Sequence, residues 1–386
     1  MSSNLNPVAH PDVLVIGGGI IGCSIAMRLA QGGLKVTVLE KGKPGGEASS
    51  AAAGMIAPQG EITSLDPFFE LCAQSRDLYP SFVSEIEQLS GRELYYRRNG
   101  TMLVALNDRE VKELEATYQG QTEAGLAVER LTGVQIGSRV GGLLAEIREA
   151  LYVAGDHWVD NEELSAALAV ACERLGVQFR AGTEVKRLNL NGKSLESVET
   201  SLSGAAGTNF SAGCYVLAAG AWSGELASAA GIKLPVLPCR GQMMEFESDI
   251  ELPMVLRAGH YYLVPRANHR VLAGATAEYV GHHKAVTAEG LQSILEGVAR
   301  MAPFVKQMRF RRAWSGLRPD TADHMPVLGP GHFENLIFAT GHFRNGILLA
   351  PVTAKLISEL ILTGVPSCSL DAYSPNRFET GAPSSP

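Results

Sequence analysis

This chain of 386 residues lacks closely spaced cysteines and has no basic residue in its first twelve positions. None of its six cysteines forms a C-x-x-C pair, so we expect reduced thiols in a cytoplasmic protein. Residues 1–12 contain no Lys or Arg, so we do not expect the apolar stretch from Val13 to be a signal peptide. The glycines of that stretch and Arg28 also argue against a membrane span.

The overall charge is modest and negative. A net charge of −7 argues against a general binder of nucleic acid or of membrane surfaces. The chain contains 46% hydrophobic and 19% charged residues, which is typical of a globular protein and not of a disordered one. Its length exceeds what one hydrophobic core usually supports, so we expect two domains.

The opening of the chain has the pattern of a dinucleotide-binding unit. Residues 13–16 predict a short strand buried on both faces. Apolar residues at helical spacing from Ile20 predict a helix that ends at Gly32. Residues 35–39 predict a second strand, which is closed by Glu40. Strand, glycine turn, helix, strand and acid thus follow one another within about thirty residues.

Three glycines between the first strand and the helix indicate how phosphate groups would bind. Gly17 permits a tight turn, Gly19 lets the backbone approach a pyrophosphate, and Gly22 lets helix and strand pack closely. The helix N-terminus adds unpaired N–H groups and partial positive charge. Glu40 lies 18 residues past Gly22, where an acid can accept hydrogen bonds from a ribose. These residues predict a dinucleotide site and leave NAD and FAD open.

Strand patterns dominate the rest of the chain. Residues 214–218 predict a buried strand, and the small residues after it indicate a second turn at which backbone approaches a cofactor. Residues 94–105 predict a hairpin, and residues 260–266 with 271–276 predict an antiparallel pair. A strand at 309–318 is expected to stop at Pro319. We therefore predict an α/β fold, a doubly wound domain interrupted by antiparallel, sheet-rich insertions.

Arg318 and Tyr262 have the residue types of a carboxylate clamp. Pro319 biases Arg318 towards an extended backbone, which fixes where its side chain starts. A guanidinium can bind a carboxylate through two parallel hydrogen bonds, and a phenol can add a third. The alternative is a structural ion pair for Arg318 and a core position for Tyr262. Residue types alone leave both interpretations open.

Other polar residues lack the partners that catalysis or metal binding would need. The histidines at 282–283 have only Glu278 as a nearby acid, which predicts a surface turn and not a metal site. His342 has no Ser or Cys partner that would indicate a triad. The mixed charges at 184–187 predict a solvated strand face. We therefore predict no metal site.

Further motifs follow the glycine motif in a fixed order. They are GGEASSAAAGMIAP at 45–58, AAGAWS at 218–223, GATAE at 274–278, WSGLRP at 314–319, GHFRNGILLAP at 341–351 and DAYSPNRF at 371–378. In this order, and over nearly the whole chain, they resemble the D-amino-acid oxidase family of flavoproteins, and within it the glycine oxidases of thiamine biosynthesis. The 45–58 and 341–351 blocks are the specific ones.

The resemblance implies an architecture of two domains. The first is a glutathione-reductase-like, Rossmann-type FAD-binding domain made of residues 1–90, 150–227 and 318–386. The second is an α+β substrate domain with an antiparallel sheet, made of residues 91–149 and 228–317.

The resemblance also implies an activity. It is the oxidative deamination of glycine and other small amino acids, of the sarcosine, D-alanine and D-proline class, by hydride transfer to flavin N5. The products are glyoxylate or another 2-oxo acid, ammonia or an amine, and hydrogen peroxide, with iminoacetate supplied to thiamine thiazole synthesis. One alternative is a D-amino-acid dehydrogenase that passes electrons to a quinone. Another is a non-catalytic FAD-binding or sulfur-carrier-associated protein, against which Arg318 and Tyr262 count.

Residue roles follow from the same resemblance. Arg318 and Tyr262 bind and orient the substrate carboxylate, and Arg344 is a further catalytic residue. Ala53, Gly54 and Met55 lie by the flavin ring. The implied FAD contacts are Gly17, Gly19, Ile20, Ile21, Gly22, Glu40, Lys41, Ser49, Ser50, Ala53, Gly54, Met55, Val185, Ala219, Gly220, Trp222, Gly341, His342, Arg344, Asn345, Gly346 and Ile347.

Two departures from related patterns bear on these roles. Sarcosine oxidases, which look similar, hold FAD through a Cys shortly before the C-terminal motif, whereas this chain has no Cys between Cys239 and Cys368. We therefore expect non-covalent FAD. Ala277 is small where some relatives place a larger residue, which leaves the size limit of the substrate open. The expected partners are the amino-acid substrate, oxygen, further copies of the chain in a homo-oligomer and a thiazole synthase, with no nucleic acid.

Overall fold

A computed structural model describes residues 10–61, 65–140, 147–202 and 207–378. The helices in these ranges are α1 (Ile20–Gln31), α2 (Ala48–Ala51), α3 (Pro58–Glu61), α4 (Pro67–Ser90), α5 (Asp108–Glu123), α6 (Gly133–Val140), α7 (Asn161–Arg174), α8 (Ser223–Ala229), α9 (Ala288–Met301) and α10 (Ala350–Thr363). The strands are β1 (Val13–Ile16), β2 (Val36–Glu40), β3 (Met55–Ile56), β4 (Tyr96–Arg97), β5 (Thr101–Ala105), β6 (Glu129–Leu131), β7 (Glu149–Val153), β8 (His157–Val159), β9 (Gln178–Ala181), β10 (Thr183–Asn191), β11 (Ser194–Leu202), β12 (Asn209–Phe210), β13 (Cys214–Leu217), β14 (Val236–Glu247), β15 (Val255–Ala258), β16 (Tyr261–Arg266), β17 (Arg270–Gly274), β18 (Arg309–Thr321), β19 (Val327–Gly329) and β20 (Leu336–Thr340). No helix among them is long and apolar enough to cross a membrane.

Six strands form a sheet in the order β19-β20-β13-β1-β2-β9. Its strands pair in parallel except for β19 and β20, which are antiparallel. Alternate residues of β1 enter different cores: Val13 and Val15 pack with the helices, while Leu14 and Ile16 pack on the opposite face. Burial on both faces explains the unbroken apolar run at 13–16 and confirms the strand predicted there.

Helices and a second sheet cover the two faces of this parallel sheet. Residues of α1, α4, α7 and α10 form the core on one face. The other face is covered by the antiparallel sheet β10-β11-β12 together with α8. The predicted α/β class is confirmed. One outer layer, however, is a sheet where a doubly wound domain would place helices.

A larger sheet of eight strands has the order β18-β14-β17-β16-β15-β5-β7-β6. Its neighbours are antiparallel except for β15 and β5. The predicted pair at 260–266 and 271–276 is confirmed as β16 and β17. Tyr262 lies in β16 and Arg318 in β18, so this sheet carries both residues of the predicted clamp. The domain boundaries given above remain a prediction.

The hairpin predicted at 94–105 is wrong. Strand β4 pairs with β8, whereas β5 pairs with β15 and β7, so the two strands belong to different sheets. Gly100 has φ +80°, in the left-handed region, at the connection between the two strands. This connection joins two different sheets. Strands β4 and β5 do not pair with each other, because each forms its backbone hydrogen bonds with strands that are distant in sequence.

The predicted strand stop at Pro319 is also wrong, since β18 continues to Thr321. Pro319 lies opposite Pro238 of β14. Strand β18 is at the sheet edge, where a residue without an N–H is tolerated. On the other edge of β14, pairing with β17 begins only at Met243, so Pro238 does not interrupt the hydrogen bonds between these two strands.

Candidate functional site

A cavity of about 420 Å³ gathers the motifs that are far apart in sequence. Most predicted site residues line it, namely Gly17, Gly19, Ile20, Ile21, Glu40, Lys41, Ser49, Ala53, Gly54, Met55, Val185, Ala219, Gly220, Trp222, Tyr262, Arg318, His342, Arg344, Gly346 and Ile347. Four other predicted residues do not line it: Gly22, Ser50, Gly341 and Asn345.

The glycine turn is built for close backbone approach. Gly17 has φ +107°, and a Cβ on it would lie 2.4 Å from the carbonyl oxygen of Ala218. A Cβ on Gly22 would lie 2.0 Å from the carbonyl oxygen of Gly17, so a glycine at this position lets α1 pack closely against the turn. The Ile20 N–H donates to Ser49 Oγ at 2.8 Å. The first turn of α1 has further N–H groups without intrahelical acceptors, which face an anion favourably.

Glu40 ends β2 with its side chain buried at the cavity. Its Oε2 accepts from the Gly18 N–H at 2.8 Å, and its Oε1 accepts from the Gly42 N–H at 2.7 Å. A carboxylate offers about four lone-pair sites. Two therefore remain for hydroxyl groups of a ligand.

Strand β10 lines the end of the cavity next to Glu40. Val185 is buried there, and Glu184 and Lys186 on either side also contribute to the lining. The two charged side chains pair with each other at 2.6 Å. Lys186 and Glu184 are 53% and 42% exposed, so the predicted solvated face is confirmed, and the same two side chains also border the cavity.

The 341–347 turn contributes another part of the cavity lining. Phe343 has φ +44°, a left-handed conformation that is uncommon outside glycine and often marks functional sites. Its ring stacks on His324 at 4.9 Å between centroids. His342 is fully enclosed, and burial lowers its pKa to about 3, so it is neutral and contacts Thr353 Oγ1 at 3.1 Å.

Arg318 extends into the cavity from β18. Its Nη1 donates to the carbonyl oxygen of Thr276 at 3.0 Å, and it forms no ion pair with any carboxylate of the described residues. A Cβ on Gly241 would lie 2.3 Å from Arg318 Nη1, so glycine is required for the guanidinium to lie there. A structural ion pair, the alternative interpretation of Arg318, finds no partner in this part of the chain.

Tyr262 is buried beside Arg318. Burial raises the pKa of Tyr262, with the Arg318 guanidinium opposing that shift, so the phenol is protonated and can donate. Its hydroxyl lies 3.4 Å from Met243 Sδ. A Cβ on Gly274 would lie 2.7 Å from the hydroxyl oxygen. Gly241 and Gly274 thus create the space for the predicted clamp. The sequence identified Gly274 only as part of the GATAE motif and did not identify Gly241.

Glu61 is a further lining residue that the sequence did not reveal. Its Oε1 lies 3.6 Å from Arg344 Nη2 and 3.8 Å from Arg257 Nη1. Two guanidinium groups therefore share one carboxylate at this end of the cavity. Glu61 ends the four-residue helix α3, and no motif or periodicity marks so short an element.

Residues 278–287, here called the strap, cross from the large sheet towards the glycine turn. Arg240 of β14 anchors the strap through Glu278 and the carbonyl oxygen of Ala285. Further along, His282 stacks on Trp222 with centroids 5.4 Å apart, and Lys284 Nζ lies 2.9 Å from Glu47 Oε2.

The surface turn predicted at 282–283 is present in the strap, where the structure has a turn at 281–282. His283 is exposed, but His282 lies between Trp222 and Glu225, with its Nδ1 3.2 Å from Glu225 Oε1. Lys41 contacts the Trp222 ring, 2.9 Å from its centroid, and burial lowers the pKa of Lys41. No cluster of His, Cys, Asp or Glu suited to a metal ion occurs among the residues that the structure describes.

Known proteins are similar to this chain in both sequence and fold. A family model described as FAD-dependent oxidoreductase matches residues 12–360. The bifunctional protein ThiO/ThiG of Trichormus variabilis is 36% identical over 97% of this chain and 56% of its own length, so the chain spans about half of that relative. The glycine oxidase of Geobacillus kaustophilus is 34% identical over 91% of this chain and 92% of its own. A crystal structure of glycine oxidase from the same organism has a TM-score of 0.89 at 32% identity, covering 95% of this chain and 99% of that one.

Proposed function

Because the chain belongs to the family of FAD-dependent oxidoreductases, we propose that it oxidises glycine and other small amino acids with oxygen as electron acceptor. The products would be glyoxylate or the corresponding 2-oxo acid, ammonia or an amine, and hydrogen peroxide. Sarcosine, D-alanine and D-proline belong to the proposed substrate class.

The residues around the cavity fit FAD. Close backbone approach at Gly17 and Gly19, together with the N-terminus of α1, suits a pyrophosphate. The free lone pairs of Glu40 suit ribose hydroxyls. Residues 47–55, which include the short helix α2 and are here called the 47–55 loop, supply mostly small side chains for the flavin ring. The 341–347 turn supplies further lining residues. When bound, FAD supplies the hydride acceptor and returns the electrons to oxygen as peroxide.

In this proposal the side chains mainly orient the substrate. Arg318 holds the carboxylate through two hydrogen bonds, and the protonated phenol of Tyr262 donates a third. The substrate amine reacts in its neutral form, and no side chain is assigned as an essential acid or base. Orientation of this kind can contribute about 7–11 kcal/mol in intramolecular reactions.

One observation carries the proposal: a guanidinium in the cavity without a carboxylate partner, next to a buried phenol. A half-buried cation is costly unless an anion joins it. A substrate carboxylate would provide that anion. A guanidinium that awaits an anion in the cavity also argues against a protein that binds FAD without catalysis.

An aerobic assay with glycine, sarcosine, D-alanine and D-proline tests the activity. We expect oxygen uptake matched by one peroxide for each 2-oxo acid formed. Reduction of a soluble quinone under nitrogen without oxygen uptake in air would favour the amino-acid dehydrogenase instead. No turnover with either acceptor would refute the proposal.

We further propose that a thiazole synthase receives the imine product. The support is a relative in which the names ThiO and ThiG describe a single bifunctional protein. A cytoplasmic location is supported by all six cysteines being free thiols. Homo-oligomerisation remains a prediction. Pull-down of a thiazole synthase by the tagged chain, with loss of signal when the synthase is omitted, tests the partner.

A further inference from the structure

Arg266 is a buried cation at the end of β16 that points at a loop of the cavity wall. It is 4% exposed. Its Nη2 donates to the carbonyl oxygen of Ala53 at 2.6 Å and to Asn161 Oδ1 at 2.9 Å. Asp160, the nearest carboxylate to it, lies 3.6 Å from its Nε. A charge is retained in such a position only when it is paired and hydrogen-bonded.

Asn161, the first residue of α7, holds the same loop from the other side. Its Nδ2 donates to the carbonyl oxygens of Ser49 at 2.8 Å and Ser50 at 3.0 Å. Trp314 of β18 also contributes, because its Nε1 donates to the carbonyl oxygen of Ala51 at 3.1 Å. Three side chains from outside the loop therefore bind four of its carbonyl groups between residues 49 and 53.

The fit of the loop leaves little room for movement. Gly54 has φ +69°, and a Cβ on it would lie 2.0 Å from the carbonyl oxygen of Val159 and 3.1 Å from Arg266 Nη2. Ser49, within the same loop, accepts from the Ile20 N–H at the start of α1. The loop thus connects the glycine turn to β16 through hydrogen bonds.

Strand β16 also carries Tyr262, four residues before Arg266. Residues four apart in a strand point to the same face. The residue proposed to orient the substrate and the residue that holds the loop therefore belong to one rigid element. Any shift of Arg266 changes the distance between the loop and Tyr262.

We propose that Arg266 and Asn161 are positioning residues that hold the 47–55 loop in the conformation that binds FAD, at a fixed distance from Tyr262. The part of this inference that concerns substrate rests on the proposed amino-acid oxidation. The part that concerns FAD does not.

The first test compares Arg266→Met with Arg270→Met as a matched control. Arg270 faces Arg266 across β16 and β17, and its Nη2 lies 3.4 Å from the same Asp160, but it donates no hydrogen bond to the loop. After reconstitution of apoprotein with FAD, we expect the dissociation constant to rise at least about tenfold for Arg266→Met and to change less than about twofold for Arg270→Met. The visible absorption and circular dichroism of the bound flavin should change for Arg266→Met alone.

Two further variants keep the inference testable if loss of the buried charge prevents folding. Asn161→Ala removes no charge, and we expect it to fold and to weaken FAD binding by at least about fivefold. Arg266→Lys should recover only part, because one ammonium cannot span both acceptors. FAD affinity and flavin spectra equal to wild type in Arg266→Met and Asn161→Ala, or in Asn161→Ala when Arg266→Met does not fold, would overturn the inference.

Turnover of sarcosine separates this inference from the proposed function. At saturating FAD, we expect kcat of Arg266→Met to fall more than about tenfold while that of Arg270→Met stays near wild type. Wild-type protein that turns over no amino acid, with FAD affinity still lost in Arg266→Met, would refute the proposed function and leave the inference standing. Turnover by the wild-type protein, together with unchanged FAD binding in the variants, would refute the inference and leave the proposed function standing.

Discussion

At the scale of single residues, Gly241 and Gly274 decide whether Arg318 and Tyr262 can lie where they do. A Cβ at Gly241 would approach Arg318 Nη1 to 2.3 Å, and one at Gly274 would approach Met243 Sδ to 2.4 Å. Such contacts force a neighbour to move, and the neighbour at Gly241 is the guanidinium proposed to bind substrate. The positions without side chains are therefore as important to the site as the charged ones.

Removal of the Arg318 guanidinium should greatly reduce amino-acid oxidation. A charge-assisted bidentate contact contributes roughly 1.5–3 kcal/mol, and the unpaired substrate carboxylate adds to the loss. We expect Arg318→Ala to lower kcat/KM by at least about a hundredfold, and Arg318→Lys to recover only part of it. Steady-state oxygen uptake with glycine and sarcosine measures both.

Arg312→Ala is the matched control for that prediction. Arg312 lies on the same strand but outside the cavity lining, where it pairs with buried Glu245 and with Glu162, so its removal should leave kcat/KM unchanged. If Arg318→Ala retained wild-type kcat/KM for every amino acid tested, the carboxylate would have to bind elsewhere, and Arg344 would be the next candidate.

Glu40 is predicted to bind the adenosine ribose. Loss of hydrogen bonds to a charged group costs about 1.5–3 kcal/mol, so Glu40→Ala should weaken FAD binding roughly 10- to 150-fold. Fluorescence titration of apoprotein with FAD gives the affinity. Asp12→Ala is a suitable control, because Asp12 also accepts from a backbone N–H, at 2.7 Å from Lys35, but lies outside the cavity lining. Equal FAD affinity in Glu40→Ala and Asp12→Ala would contradict the ribose role.

At the scale of elements, the sequence predicted those parts whose causes are local. The β1–α1–β2 unit was predicted because apolar period, glycine spacing and the closing acid all lie within one short stretch. The hairpin at 94–105 and the stop at Pro319 failed because strand pairing depends on distant neighbours. Glu61, Gly241 and the strap were missed for the same reason: each acquires its place only from contacts across the fold.

The short helix α3 is held by a buried acid with an unusual titration. Asp156 is fully buried, and its Oδ2 accepts from the Gly60 N–H at 3.1 Å. Burial raises the pKa of Asp156 to about 7. Between about pH 4 and pH 7 the folded state therefore keeps a proton that the unfolded state has released, so the free energy of unfolding falls as pH rises through this range.

Asp156→Asn should remove that pH dependence. Each unit of pKa shift corresponds to about 1.4 kcal/mol, so the variant should exceed wild type in stability at pH 8 by on the order of 4 kcal/mol, with a much smaller difference at pH 4. Urea unfolding at several pH values measures it. Asp249→Asn, at a fully exposed aspartate, should keep the wild-type slope. A slope unchanged by Asp156→Asn would show that the carboxyl is already ionised in the folded state.

At the scale of the whole molecule, the cofactor is predicted to be held without a covalent bond. None of the six cysteines lines the cavity. Acid precipitation of the yellow protein should therefore release FAD into the supernatant, where its absorption spectrum and chromatographic retention identify it. Flavin that stays with the protein pellet would contradict this prediction.

The strap connects the eight-stranded sheet to Trp222 and Glu47 beside the cavity, and its ionic contact is exposed to salt. Lys284 and Glu47 are 45% and 32% exposed, and a pair of this kind contributes about 0.2–1 kcal/mol. High ionic strength should therefore speed FAD release roughly two- to fivefold, and Lys284→Met should release FAD quickly at every salt concentration. Stopped-flow flavin fluorescence follows the release, with Lys193→Met as a surface control. Wild-type salt dependence in Lys284→Met would rule out this role.

The amount of FAD that stays bound would then depend on the rate of its release and on the duration of handling, as well as on affinity. Protein washed in strong salt would lose its yellow colour slowly, and protein kept in dilute buffer would retain it for longer. Apoprotein for reconstitution could be prepared by salt dialysis, without denaturant. An inactive preparation would in that case be a reversible product of its purification, which added FAD restores.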